Sequence, residues 1–138
     1  MRVLCFIDGL GSGGAQRQIV NLAIGLQRRG HEVQMIAYTD DDFYQHRLAD
    51  RNIPYTVIEN RNYLQRIINI RKYFRNADAD AVVSFLETPN FLSCLSAIGK
   101  HKWVLVTSER NAKEYEFTNR RGRIMKWFER FSDCTVCN

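Results

Sequence analysis

No apolar stretch of the 138-residue chain approaches the length of a bilayer span, and its first branched run, residues 3–7, is too short for the core of a signal peptide. Membrane-spanning and secreted classes are set aside on that ground, and a cytoplasmic chain is expected. Proline is scarce, with two residues, and no low-complexity or charged linker interrupts the sequence, so one domain over residues 1–138 is expected. Cysteine offers neither a disulfide framework nor a metal site. Cys134 and Cys137 fall in a strand-like run, where an offset of three sends side chains to opposite faces. Cys5 and Cys94 lie in apolar segments, and all four thiols are expected to be buried and structural. His31, His46 and His101 are scattered, with no partner at catalytic or metal-binding spacing, and are expected at the surface. The sequence holds no Gly-x-Ser-x-Gly elbow and no Gly-Lys-Ser or Gly-Lys-Thr loop, which removes nucleophilic hydrolases and Walker-type kinases or nucleotidases. No catalytic residue, metal or cofactor is assigned.

What is present is enough apolar material for a core, 45% hydrophobic against 25% charged. Residues 3–7 read as a buried strand, and the following helix opens near Gly14. Residues 35–39 then read as a strand, 43–51 as a short helix and 55–59 as a strand. Residues 63–75 carry Tyr63, Leu64, Ile67, Ile68, Ile70, Tyr73 and Phe74 at helical spacing, with bases between them. The pattern continues as a strand at 80–86, a helix at 90–98 capped by Asn90 or Thr88 and ended by Gly99, a strand at 103–107, a helix at 122–131 and a strand at 134–137. Such alternation requires a Rossmann-like, doubly wound α/β fold, with a mostly parallel sheet of about six strands and helices on both faces. Ligands of such sheets sit beyond the carboxyl ends of the strands. The loops that reach that edge are 9–16, 87–90 and 108–113.

The first of these loops carries Gly9, Gly11, Gly13 and Gly14, so its backbone is open to close approach, and the helix after it points unpaired N–H groups at an anion. Gly9, Gly11 and Gly14 match the dinucleotide fingerprint G-x-G-x-x-G, and the acids at 40–42 could meet a ribose. That alternative is an NAD(P)-binding oxidoreductase domain. The longer pattern is Gly13-Gly14-Ala15-Gln16-Arg17, then a helix closing on Leu26-Gln27-Arg28-Arg29-Gly30-His31-Glu32-Val33. It resembles the N-terminal, acceptor-side domain of the family 4 retaining glycosyltransferases, enzymes of the GT-B fold. Ser108-Glu109-Arg110-Asn111 extends the resemblance, although a His found near the Arg110 position in some relatives is missing here.

That resemblance implies that Gly13 and Gly14 present N–H groups to the donor diphosphate, while Gln16, Arg17, Glu87, Ser108, Glu109, Arg110 and Asn111 face the acceptor. Glu109 either accepts from sugar hydroxyls or holds Arg110. Glu87 either binds acceptor hydroxyls or caps its helix. The resemblance further implies a two-domain enzyme of cell-surface polysaccharide biosynthesis, whose second domain holds the nucleotide sugar with a spaced glutamate pair. Glu109 and Glu116 come nearest to that spacing without meeting it, so the chain is expected to be the first half only and inactive by itself.

The net charge of +5 is concentrated late, with seven bases and three acids between Arg110 and Arg130. Such a segment suits nucleic acid, anionic lipid or a phosphorylated substrate. Nucleic acid is not expected, since no recognisable nucleic-acid fold displays base-stacking aromatics. For a lipid-linked acceptor, the helix with Arg120, Arg121, Arg123, Lys126 and Trp127 is expected either to rest on the inner face of the membrane or to bury its apolar stripe in the core.

Overall fold

The computed structural model describes residues 1–60, 62–109 and 120–137. Among these residues six strands form one sheet, β1 (Arg2–Phe6), β2 (Glu32–Ala37), β3 (Tyr55–Val57), β4 (Ala81–Phe85), β5 (Val104–Glu109) and β6 (Cys134–Cys137). Their order is β3-β2-β1-β4-β5-β6, and every neighbouring pair is parallel. The helices between them are α1 (Gly14–Arg28), α2 (Gln45–Ala49), α3 (Tyr63–Asn76), α4 (Glu87–Ala97) and α5 (Arg120–Phe128), the last running into a 3-10 turn, Glu129–Phe131.

Side-chain alternation along β1 explains the two layers. Val3, Cys5 and Ile7 face α1 and α2, where Ile19, Val20, Ala23 and Leu48 are buried. Leu4 and Phe6 face the opposite layer, with Ile70 and Phe74 of α3 and Leu92 and Cys94 of α4. Phe74 packs edge-on to Phe6 at 5.4 Å and to Trp103 at 6.3 Å, contacts worth about 0.5–1.5 kcal/mol each beyond buried area. The chain moves outward from β1 to β3, returns through α3 and continues from β4 in the other direction. The order therefore reverses between β1 and β4, where a doubly wound sheet opens a crevice.

Several expectations need correction. Helix α4 begins at Glu87, three positions before the expected start, and Asn90 is a buried helical residue rather than a cap. Cys134 and Cys137 are exposed, because β6 lies at the sheet edge with all four of its residues accessible; Cys5 and Cys94 are buried as expected. Of the apolar stripe on α3 only Ile70 and Phe74 are buried, while Leu64 and Ile68 are exposed. The last helix divides its stripe in the same way, with Met125 buried and Ile124 and Trp127 exposed. Among the described residues, no helix is long and apolar enough to cross a membrane.

Candidate functional site

Residues 7–13 carry the chain from β1 into α1. Ile7 and Leu10 are fully buried and anchor this loop, while Leu10 N donates to Asp41 O at 3.0 Å. Asp8 does the remaining bracing. Its Oδ1 accepts from Gly9 N at 2.8 Å and from Gln16 Nε2 at 3.1 Å, and its carbonyl accepts from the amides of Tyr38 and Thr39. Gly9 is required by contact, since a Cβ there would run into Thr39 Oγ1 and the Asp41 carboxylate.

Gly13 is the N-cap of α1, in extended conformation, and a Cβ on it would fall on the Gln16 side-chain oxygen. Gly14 opens the helix, and a Cβ there would meet nothing within 4 Å. Among the described residues no side chain caps this first turn, and no acid lies in it, so its N–H groups carry a partial positive charge at the crevice. Arg17 is exposed on the next position of the same turn. The structure thus brings Gly13, Gly14 and Arg17 to the outer face of the crevice, while the Gln16 amide is spent inward on Asp8.

The β4 exit is built differently. Leu86 adopts φ 79°, ψ 155°, a left-handed conformation costly for a residue with a Cβ, and turns the chain sharply into α4. It is held by one long-range and one helical bond: Leu86 N donates to Ser108 O at 3.2 Å, and Leu86 O accepts from Asn90 N at 2.9 Å. Asn90 also accepts from Ser84 Oγ at 2.8 Å and donates to Ser108 O at 3.1 Å, tying β4, α4 and β5 into one buried unit. Glu87 sits half-buried at the first position of α4, where the helix dipole favours its charge.

At the β5 exit Ser108 is buried, and its hydroxyl has no partner among the described residues. Glu109 turns toward α5, with Oε1 3.3 Å from Lys126 Nζ, and Lys126 in turn lies 3.8 Å from Glu129 Oε2. Burial, reinforced by the neighbouring Glu109, pushes the Glu129 carboxyl up to about 7. The hydrogen bond from Glu129, with Lys126 assisting, holds Glu109 below its ordinary value. The Cys137 thiol adds a long contact to Glu109 Oε2 at 3.9 Å. Arg110 and Asn111 lie outside the described residues.

Sequence reasoning overlooked the residues between these exits. Tyr38, just past β2, is 9% exposed, and burial pushes its hydroxyl up to about 12; Asp8 adds to this, and Arg66 and a hydrogen bond with Thr88 oppose it. Tyr38 therefore links the exits of β1 and β2 to the first turns of α3 and α4. Asp8 had a signal, a lone acid closing an apolar run, but it reads equally as a strand boundary. Tyr55 faces Asp40, Asp41 and Asp42, so the edge over β1 to β3 is acidic, whereas α5 is basic. Among the described residues no group of three or more His, Cys, Asp or Glu side chains could hold a metal.

The model of Glycosyltransferase Family 4 matches residues 12–138. A Campylobacter jejuni protein, GalNAc-alpha-(1->4)-GalNAc-alpha-(1->3)-diNAcBac-PP-undecaprenol alpha-1,4-N-acetyl-D-galactosaminyltransferase, is 28% identical over 126 residues, covering 83% of this chain and 34% of that protein. Among solved structures, HepE of Anabaena in complex with UDP superposes with a TM-score of 0.78 at 16% identity, over 98% of this chain and 37% of its own. Acinetobacter baumannii MurG gives 0.70 at 20% identity, over 99% of this chain and 40% of its own. These likenesses carry the Rossmann-like fold, and the chain spans little more than a third of each relative's length. The family match over residues 12–138 leaves the oxidoreductase reading without support: the chain belongs to glycosyltransferase family 4.

Proposed function

We propose that this chain is the N-terminal, acceptor-side half of a two-domain retaining glycosyltransferase that moves a sugar from a nucleotide sugar to a glycan or lipid-linked acceptor. The observation that carries the reading is the glycine-led start of α1 at the β1/β4 crevice, in a chain matched by the family model from residue 12 onward. Gly13 and Gly14 offer N–H groups to the donor diphosphate. Arg17, Glu87, Arg110 and Asn111 face the acceptor. Gln16, Ser108 and Glu109 shape that surface from behind, through Asp8, the Asn90 unit and Lys126 respectively. Catalysis needs the donor domain, because orienting donor against acceptor takes both walls of the cleft.

Gly14→Ala in the complete enzyme tests the donor arm, since the added methyl meets open space in the fold. Its expected effect is a rise of about tenfold or more in the donor KM with an unchanged melting temperature. An unchanged KM removes Gly14 from the donor site. Failure of the complete enzyme to transfer sugar from any nucleotide sugar removes the enzymatic reading.

The same reading places the protein on the cytoplasmic face of the membrane. Arg120, Arg121, Arg123 and Lys126 share α5 with Trp127 and Ile124, which are 53% and 56% exposed, and each base near an anionic surface is worth about 1 kcal/mol. Cosedimentation with vesicles should rise with anionic lipid and fall when Arg120, Arg121 and Arg123 are all replaced by Gln. Binding that ignores those replacements returns the helix to a purely structural role.

A further inference from the structure

Arg66 is a half-buried cation stacked on an aromatic ring. It sits in the first turn of α3, and its guanidinium carbon lies 4.3 Å from the centroid of the Tyr38 ring. Among the described residues its Nε is buried without an acceptor and no carboxylate pairs with it. Stacking fixes the plane of a guanidinium but supplies no hydrogen-bond acceptor, so the fork is oriented and its hydrogen-bonding edge suits an anion. One helical turn earlier, Tyr63 lies on the same side of α3. Burial raises the Tyr63 hydroxyl above its ordinary value, and Arg121 of α5 and Arg66 both pull it back, so both cations act on that one hydroxyl. Tyr63 and Arg121 also line a cleft of about 580 Å³ with Phe91, Ile124 and Met125, between α3, α4 and α5. Its wall is apolar and its rim phenolic and cationic, and its volume suits a small ligand. The rim stands at the carboxyl edge of the sheet, where α3 and α4 both begin.

We propose that Tyr63, Arg66 and Arg121 form a phosphate subsite, and that the adjoining cleft receives the first carbons of the apolar chain carried by that phosphate. The ligand class is a prenyl diphosphate, the form in which a membrane-borne glycan acceptor presents two negative groups beside a hydrocarbon chain. This rests on the lipid-linked arm of the proposed function, and it fixes where the phosphorylated end of the acceptor lies.

The test is calorimetric titration of the 138-residue chain with a soluble ten-carbon prenyl diphosphate, inorganic pyrophosphate and anionic phospholipid vesicles. The prenyl diphosphate should bind at least tenfold more tightly than pyrophosphate. Arg66→Gln and Arg121→Gln should each weaken it at least fivefold, and Arg66→Lys should not restore it, because a lysine keeps the charge and loses the stacked fork. Ile124→Gln should weaken the prenyl compound and leave pyrophosphate unchanged. Arg66→Gln should retain vesicle binding, which separates this subsite from the headgroup contacts of α5. Absence of prenyl diphosphate binding by the parent chain overturns the proposal. So does unchanged affinity in Arg121→Gln, whose exposed position keeps the fold intact even if Arg66→Gln unfolds. Loss of vesicle binding with prenyl diphosphate binding intact in Arg66→Gln assigns the cation to the membrane surface instead. Sugar transfer to a water-soluble glycan, with no prenyl diphosphate bound, strikes this subsite and leaves the transferase reading standing.

Discussion

The Gln16 side-chain oxygen occupies the space that a Cβ on Gly13 would need, while its amide nitrogen donates to Asp8. Gly13 and Gln16 are therefore one device. Gln16→Ala is expected to cost about 0.5–1.5 kcal/mol, the worth of one hydrogen bond. Gly13→Ala should cost a similar amount by displacing the same side chain, and the double substitution should cost no more than Gln16→Ala. Urea unfolding of the four proteins should give a coupling of at least ~0.5 kcal/mol. Additive effects would show that the glycine serves something other than room for Gln16.

Leu86 offers a different kind of measurement, because its φ of 79° stores strain in the backbone. Leu86→Ala removes the side chain and keeps the strain, whereas Leu86→Gly removes both. The glycine variant should therefore be the more stable of the two by about 1 kcal/mol or more, against the usual order for these residues. Alanine equal to or better than glycine in thermal melts would place no strain at this turn.

Asn90 is 2% exposed and serves Ser84 Oγ and Ser108 O together. Asn90→Ala should cost about 2–4 kcal/mol, since it leaves a buried hydroxyl and a buried carbonyl each short of a partner. Asn90→Asp should be worse, because its carboxylate turns a donor toward Ser108 O into a repelling acceptor. A loss below ~1 kcal/mol in either variant would show that water replaces the amide.

The pH dependence follows from Glu129. Its carboxyl has an ordinary value of 4.5 and is pushed up to about 7 by burial beside Glu109. Between those values the native chain holds a proton that the unfolded chain has lost, so this group's stabilising contribution is full below the unfolded value and disappears as pH rises through about 7. Glu109, shifted downward, acts oppositely and loses its contribution as pH falls below the ordinary carboxylate range. Glu129→Gln should flatten the decline in melting temperature between pH 5 and pH 8 and be the more stable protein at pH 8. Parallel curves for the two proteins over that range would contradict the shift.

The elements legible in the sequence were those whose causes are local. The helix after the glycine loop starts at Gly14, and Gly99, at φ +91°, ends α4, as glycine chemistry requires. The start of α4 was misread because Thr88 and Asn90 look like caps, whereas the true boundary is imposed on Leu86 by a hydrogen bond to Ser108, remote in sequence. Arg110 was the obvious neighbour for Glu109, but its described partners Lys126 and Glu129 come from the next helix. Arg66 read as one more base on a polar face. Only the return of α3 over Tyr38 makes it distinctive, and no periodicity encodes that packing.

The central place of β1 bears on how the molecule assembles. Beside the β1/β4 ladder, Arg2 N donates to Asp80 Oδ2 across 78 positions of chain, so the crevice does not exist until segments made far apart have met. Closing so long a loop is slow relative to the local turns of α1 or α3. The glycine loop on one wall and the Leu86 turn on the other therefore rest on the same long-range β1/β4 ladder. Loosening that ladder at the Arg2 end thus loosens both walls of the site at once.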